Sequence, residues 1–291
     1  MKILLLGASG QVGWELLRTL NVVGDVVATA RDGSADVRLD VGDLDAVRAM
    51  LDAVAPDVVV NAAAYTAVDK AESEPATALR INADLPGALG EWAASRGALV
   101  MHYSTDYVFD GSKAGAYVET DATAPLGVYG SSKLAGDQAL LASGCDALIL
   151  RVSWVYGLRG HNFLRTMQRL LAERDSLNVV NDQIGAPTWC RSIAQASGLI
   201  IARLSRDPAA RTALRGIYHL SPCGEASWYD FACAIRDAGG FACDIRPIPS
   251  SEYPTAARRP GNSRLDAGKL EQVFGIRLPD WRRDLALCLW K

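Results

Sequence analysis

At 291 residues, 49% apolar and 22% charged, the chain reads as a soluble globular protein with one large domain or two modest ones. A net charge of −3 and a pI near 5.7 exclude the broad basic field that nucleic acid or anionic membrane requires. The opening apolar run stops at Gly7, none approaches the ~18 residues of a membrane span, and six cysteines show no CxxC or Cys/His spacing. A cytoplasmic protein with reduced thiols is expected.

In chain order, short apolar runs near 2–6, 26–30, 58–62, 98–104 and 147–152 predict strands. Between them, 11–20, 44–54, 76–95 and 128–142 carry helical periodicity. Leu79, Leu85, Leu89 and Trp92 fall near one stripe of the third helix, which Pro86 should kink. Continuous runs such as Val58-Val59-Val60 suit strands buried on both faces. Alternation of this kind predicts an α/β protein, a doubly wound parallel sheet with flanking helices. After residue 156 prolines become frequent, and helices near 162–173, 190–204 and 228–238 are joined by short strands. The expected organisation is a dinucleotide-binding domain over 1–155 and, over 156–291, mainly a smaller α/β substrate-binding lobe. Segments near 188–220 are expected to return to the first domain.

The run 2–6 leads directly into Gly7-Ala8-Ser9-Gly10-Gln11-Val12-Gly13, and a helical pattern follows. Such glycines allow a tight turn and close approach of backbone to a pyrophosphate, as in Rossmann folds, and the helix N-terminus offers free N–H groups. The second strand ends Thr29-Ala30-Arg31, with no carboxylate before Asp32. An arginine there accommodates a 2′-phosphate, so NADPH is favoured, with NADH still admissible. Asp40 and Val41 suit the adenine edge, and Asn61-Ala62-Ala63-Ala64 ends a strand with small side chains. Thr105 closes the strand near 98–104, at the sheet end where ligands of open α/β sheets sit. Tyr129 and Lys133 lie four apart on a helix, hence on one face, and a cation there should lower the phenol pKa. A dinucleotide site, a hydroxyl, a phenol and an ammonium together make a carbonyl/alcohol redox centre.

The sequence resembles the extended short-chain dehydrogenase/reductases and, among them, the dTDP-4-dehydrorhamnose reductase family. The most specific carriers are Thr66-Ala67-Val68-Asp69-Lys70-Ala71-Glu72, Ser104-Thr105-Asp106-Tyr107-Val108-Phe109 and Arg259-Pro260-Gly261-Asn262-Ser263-Arg264. The resemblance implies NADPH-dependent reduction of the C4 keto group of dTDP-6-deoxy-L-lyxo-4-hexulose to dTDP-L-rhamnose, for rhamnose-containing cell-surface polysaccharide. It implies Tyr129 as proton donor, Thr105 on the same oxygen, and Lys133 on the nicotinamide ribose. By the same carry-over Ala63, Ala64 and Tyr65 contact the cofactor, and Thr66, Val68, Asp106, Tyr107 and Trp154 line the sugar-nucleotide site. For the diphosphate, Arg259 or Arg264 is the candidate, either being equally a structural ion-pair partner.

Some relatives hold Mg²⁺ at a dimer contact through glutamates, one shortly after the GAPT motif. This chain reads Trp189-Cys190-Arg191 there, and a guanidinium cannot ligate a hard cation. No metal is therefore expected, and the chain should be a monomer or weak homodimer. A nucleotide-sugar 4,6-dehydratase of the same superfamily places Asp-Glu after the threonine, whereas Asp106-Tyr107 follows here. Another nucleotide-sugar 4-ketoreductase or epimerase of that superfamily, or an NADP-binding regulatory subunit like that of methionine adenosyltransferase, stays as the alternative. His102, His161 and His219 read as structural histidines, and Trp228, Trp281 and Trp290 as packing of the second lobe. Asn82 either orders the active site or lies on an exposed helix face.

Overall fold

The computed structural model describes residues 1–290. Strand β1 (Lys2–Leu6) leads to α1 (Gln11–Leu20), β2 (Asp25–Ala30), β3 (Val37–Arg38), α2 (Leu44–Val54) and β4 (Val58–Asn61). Short helices α3 (Val68–Ala71) and α4 (Pro75–Leu79) precede a π turn (Arg80–Asp84) and α5 (Leu85–Arg96). Then come β5 (Leu99–Thr105), a 3₁₀ turn (Asp106–Val108), α6 (Val128–Ala142) and β6 (Asp146–Val152). The second half runs β7 (Val155–Tyr156), α7 (Phe163–Glu173), β8 (Ser176–Val180), β9 (Ile184–Gly185), β10 (Thr188–Trp189), α8 (Cys190–Leu204) and α9 (Pro208–Ala213). It closes with β11 (Gly216–His219), β12 (Ala226–Ser227), α10 (Trp228–Gly239), β13 (Asp244–Ile248), α11 (Gly268–Phe274) and α12 (Trp281–Leu289).

Seven parallel strands form the main sheet in the order β11-β6-β5-β4-β1-β2-β3, the doubly wound arrangement expected. Strand order reverses between β1 and β4, so the turn after β1 opens into the crevice where such sheets bind ligands. Val58, Val59 and Val60 are wholly buried, alternating between the two faces of the sheet. Each contributes about 1.5–3 kcal/mol by leaving water. One face is covered by α1 and α8, with Leu16, Leu20, Ile193 and Ile200 in its core. The other is covered by α2, α5 and α6 through Val47, Leu51, Leu89 and Leu140. A third core joins α7, α10 and α12 around Phe231 and Trp281, whose indole N–H donates to the Glu225 carbonyl at 3.1 Å. Late segments thus contact the first sheet, α8 lying on α1 and β11 pairing with β6.

Four expectations read from the sequence need correction. The predicted helix 76–95 is two helices around a π turn, because Pro86 has no N–H for the Asn82 carbonyl. The extra residue shifts the phase, so Leu79 is 44% exposed while Leu85 and Leu89 are buried. Trp290 follows α12 and is 79% exposed, and His161 is also exposed, so neither packs in a core. Asn82 is buried, which removes its exposed-face alternative.

Candidate active site

The glycine turn is shaped by contacts that side chains would obstruct. Gly7 has φ +82°, and a Cβ there would meet the Ala63 nitrogen at 2.8 Å. Backbone N–H groups of Gly7 and Ala8 bond the Thr29 carbonyl at 3.2 and 2.9 Å, tying β1 to β2. Helix α1 starts after Gly10 with no side-chain cap, so the N–H groups of its first turn, including Gln11 and Val12, are free of a capping side chain. Those donors and the partial positive charge of the helix end fit a pyrophosphate.

Around this turn, Arg31 is exposed at the end of β2 and its carbonyl accepts from Arg38. Asp40 bonds the Gly42 N–H at 3.0 Å, fixing the bend that carries Val41. Ala63 and Ala64 are half-buried beyond β4, and the Ala63 N–H donates to Asn61 Oδ1 at 3.2 Å. The Tyr65 backbone N–H bonds Asn82 Oδ1, and its phenol donates to Glu74 at 2.7 Å. Asn82 also donates to Ser132 Oγ at 3.0 Å, so the π turn links the β4 end to the helix bearing Tyr129. The loop beyond β7 lies over the turn as well, with Asn162 donating to Gln11 at 2.8 Å.

The second group gathers at the carboxyl end of β5. Thr105 donates to Asp106 at 3.0 Å, and its hydroxyl accepts the Tyr107 N–H at 3.2 Å. Tyr107 meets Tyr129 edge-on, centroids 5.8 Å apart. Burial raises the Asp106 carboxyl to about 6, opposed by hydrogen bonds from Ser263, Thr105 and Ser153. Tyr129 retains some accessible surface, yet the protein packed around its phenol pushes its pKa up to about 12; the Thr105 hydroxyl opposes this, while Asp106 and Asp137 add to it. The expected lowering by Lys133 is therefore not found. The ammonium turns inward instead, donating to the Tyr103 carbonyl at 2.6 Å and facing His102 Nε2 at 3.1 Å. Burial pushes Lys133 down to about 8, with Asp137 opposing. Tyr129 thus holds its proton at neutral pH, the state that suits an acid.

Val68, Tyr107 and Tyr129 share the wall of one small cavity with Glu72 and Pro260. Thr66 is exposed beside it in sequence. Trp154 lies just beyond the carboxyl end of β6, at φ +46°, stacked on Trp228 at 3.6 Å. A bulky residue in the left-handed region is strained, and this stack holds it there. Arg259 pairs with Asp69 at 2.8 Å and also reaches Tyr107. Arg264 is engaged elsewhere, by Glu225 at 2.7 Å and Asn262 at 2.9 Å, so of the two candidates Arg259 is the one beside Tyr107, while Arg258 lines the small cavity.

Sequence reasoning missed Glu72. Its carboxylate accepts the Val128 N–H at 2.8 Å and so caps α6, which has no cap of its own. The two residues are 56 apart, and no local pattern signals the pairing. The contacts of His102 with Asn61 and Lys133 were likewise not signalled by spacing. Arg191 pairs with Glu15 at 3.5 Å, and among the described residues no three His, Cys, Asp or Glu side chains converge as a metal site. An open groove of about 1120 Å³ runs between α8 and α12, away from Tyr129.

A parallel sheet with a glycine turn after β1, and a Tyr/Lys helix beside the end of β5, defines a short-chain dehydrogenase/reductase. The RmlD substrate binding domain family matches residues 1–291. A dTDP-4-dehydrorhamnose reductase of Burkholderia thailandensis is 48% identical over 297 residues, covering 99% of this chain and 98% of its own. The structure of a dTDP-4-dehydrorhamnose reductase from Clostridium acetobutylicum superposes with a TM-score of 0.90 at 35% identity, over 99% of this chain and 98% of that one. The Bacillus anthracis enzyme of that name, in complex with NADP, gives 0.89 at 32% identity with the same coverage. The chain belongs to the dTDP-4-dehydrorhamnose reductase family and is an oxidoreductase.

Proposed function

We propose that this protein reduces the C4 keto group of dTDP-6-deoxy-L-lyxo-4-hexulose with NADPH, giving dTDP-L-rhamnose for cell-surface polysaccharide. The observation that carries the mechanism is the Thr105 hydroxyl beside the Tyr129 phenol at the carboxyl end of β5, where burial raises the phenol above its ordinary pKa. When bound, the reduced dinucleotide supplies hydride to C4. Tyr129 gives its proton to the C4 oxygen, and the Thr105 hydroxyl turns its one proton from Asp106 to that oxygen. Lys133 holds the nicotinamide ribose, and Gly7, Gly10, Gln11, Val12 and Gly13 cradle the pyrophosphate. Arg31 takes the 2′-phosphate, Asp40 and Val41 flank the adenine, and Ala63, Ala64 and Tyr65 line the cofactor. Thr66, Val68, Asp106, Tyr107 and Trp154 hold the sugar nucleotide, with Arg259 on its diphosphate.

Residues 1–155 form the dinucleotide unit and 156–291 mainly the substrate lobe. The pairing of β11 with β6 and the packing of α8 on α1 support a return of residues near 188–220 to the first unit. We infer a cytoplasmic monomer or weak homodimer without nucleic-acid or membrane partners. The charge of −3 offers no attraction to nucleic acid or anionic membrane, and no described helix is long and apolar enough to cross a membrane.

The direct test is NADPH oxidation with the dTDP-4-keto sugar as substrate. Turnover is expected, and its absence in folded protein overturns the assignment. For Arg259→Ala, loss of a charge-assisted contact raises KM for the sugar nucleotide roughly tenfold to a hundredfold. An unchanged KM would make Arg259 a structural partner of Asp69. For Arg31→Ala, the ratio of kcat/KM for NADPH over NADH falls about tenfold. An unchanged ratio removes Arg31 from cofactor choice.

A further inference from the structure

Beneath Tyr129 lies a buried set of polar groups joined to Lys133, and apart from that lysine the proposed reduction assigns them no part. Lys133 and His102 are each 1% exposed. His102 stands on β5 in register with Asn61 on β4, and its Nδ1 lies 3.0 Å from Asn61 Nδ2. The other end of that amide, Oδ1, accepts the Ala63 N–H. A neutral imidazole carries one N–H and one lone pair, so its two neighbours cannot both be donors.

Two arrangements satisfy both nitrogens of the imidazole. In the first, Nδ1 accepts from the Asn61 amide, Nε2 carries the proton, and Lys133 is an uncharged amine whose lone pair accepts it. In the second, Lys133 is an ammonium donating to Nε2, and Nδ1–H needs an acceptor. The Asn61 amide, whose two ends have nearly the same shape, must then present its oxygen to the ring and release the Ala63 N–H. The two differ by one proton, carried by Lys133.

We propose that His102 is a positioning residue whose tautomer follows the charge of Lys133 and passes it through Asn61 to the Ala63 N–H beyond β4. The inference rests on the proposed roles of Lys133 and Ala63 in dinucleotide binding. A bound acceptor at the freed Ala63 N–H favours the second arrangement, and with it the charged lysine. His102 switches by tautomer and not by charge, because burial and the neighbouring Lys133 hold its pKa well below the ordinary value.

Charged groups face the pair from each side. On α6, Asp137 Oδ1 lies 4.0 Å from His102 Nε2 and has no hydrogen-bond partner, and Tyr129 lies one turn before Lys133. On β6, Arg151 Nε is 3.5 Å from Asp137 Oδ2, and Ser104 on β5 donates to that oxygen at 2.8 Å. Asp106, beyond β5, acts on Tyr129. Asp137 favours the ammonium and burial disfavours it, so Lys133 titrates at about 8, within reach of experiment.

The chain has three histidines, so nitrogen-15 correlation spectra of the labelled, full-length protein can resolve His102. Nδ1–H is expected below pH 8 and Nε2–H above it. A single tautomer across about pH 6–10 would overturn the proposal. That measurement needs no turnover, so its failure is distinct from failure of the reductase assignment. In kinetics, activity that needs charged Lys133 falls as pH rises through its pKa. His102→Leu removes an acceptor and moves this basic limb down by about one unit, whereas His102→Asn, whose amide oxygen can accept, restores it. A purely structural role scales the whole profile without moving the limb. Should His102→Leu fail to fold, the wild-type spectra still decide.

Discussion

Tyr129→Phe is expected to lower kcat by about 10²–10⁴-fold, the range set by removing a positioned general acid. The phenyl ring keeps the edge contact with Tyr107 and its place on α6, so the change deletes one proton and little packing. Because the wild-type phenol titrates near 12, it is protonated at every pH where the fold is comfortable. The variant therefore lacks the donor over the whole neutral range, and raising or lowering pH does not rescue it. Dinucleotide affinity, measured by fluorescence titration, should stay close to wild type, since the turn at Gly7 is untouched. Equal rates for the two proteins would refute Tyr129 as the acid.

Gly130→Ala should be nearly as damaging without touching any reacting group. A Cβ at Gly130 would run into the Tyr107 carbonyl oxygen, with Tyr107 C at 3.1 Å and Pro125 Cβ at 3.0 Å. The obstructing atoms are mainly backbone, so α6 must move away from the 3₁₀ turn after β5. Tyr129 and Lys133 ride on α6, whereas Thr105 stays with the strand. A displacement near 1 Å between catalytic groups costs about 10²-fold in rate, and overpacking adds about 1–3 kcal/mol of instability. Gly115→Ala is the control, because nothing lies within 4 Å of a Cβ there. A Gly130→Ala enzyme with wild-type kcat would show that the helix and strand end need no fixed spacing.

Strands β1, β2, β4, β5 and β6 were legible because they are written as apolar runs, as parallel strands buried on both faces must be, whereas the short edge strands β3 and β11 carry no such run. The glycine turn was legible because its glycines are spaced closely between a strand and a helix, although the contacts that require them, with Ala63 and Thr29, are distant in sequence. What stayed hidden depends on partners distant in sequence. Spacing put Lys133 on the same face as Tyr129, but rotamer and burial decide where an ammonium points. They send it to Tyr103 and His102. The Glu72 cap on α6 and the link from Asn82 to Ser132 join residues about fifty apart. The π turn is a case between these, since Pro86 announced a disturbance but not how the backbone would absorb it.

The placement of β11 bears on how the chain reaches this structure during synthesis. Strand β6 is complete at Val152, with six of its seven residues buried, yet its outer neighbour arrives only at Gly216–His219. At about 5–20 residues per second on the ribosome, that edge waits on the order of several seconds, apolar and unpaired. Bare edges of this kind recruit other strands. Nascent chains stalled shortly before Gly216 should therefore aggregate or bind chaperones far more than chains released after His219, which makes the fold's vulnerable interval a matter of timing.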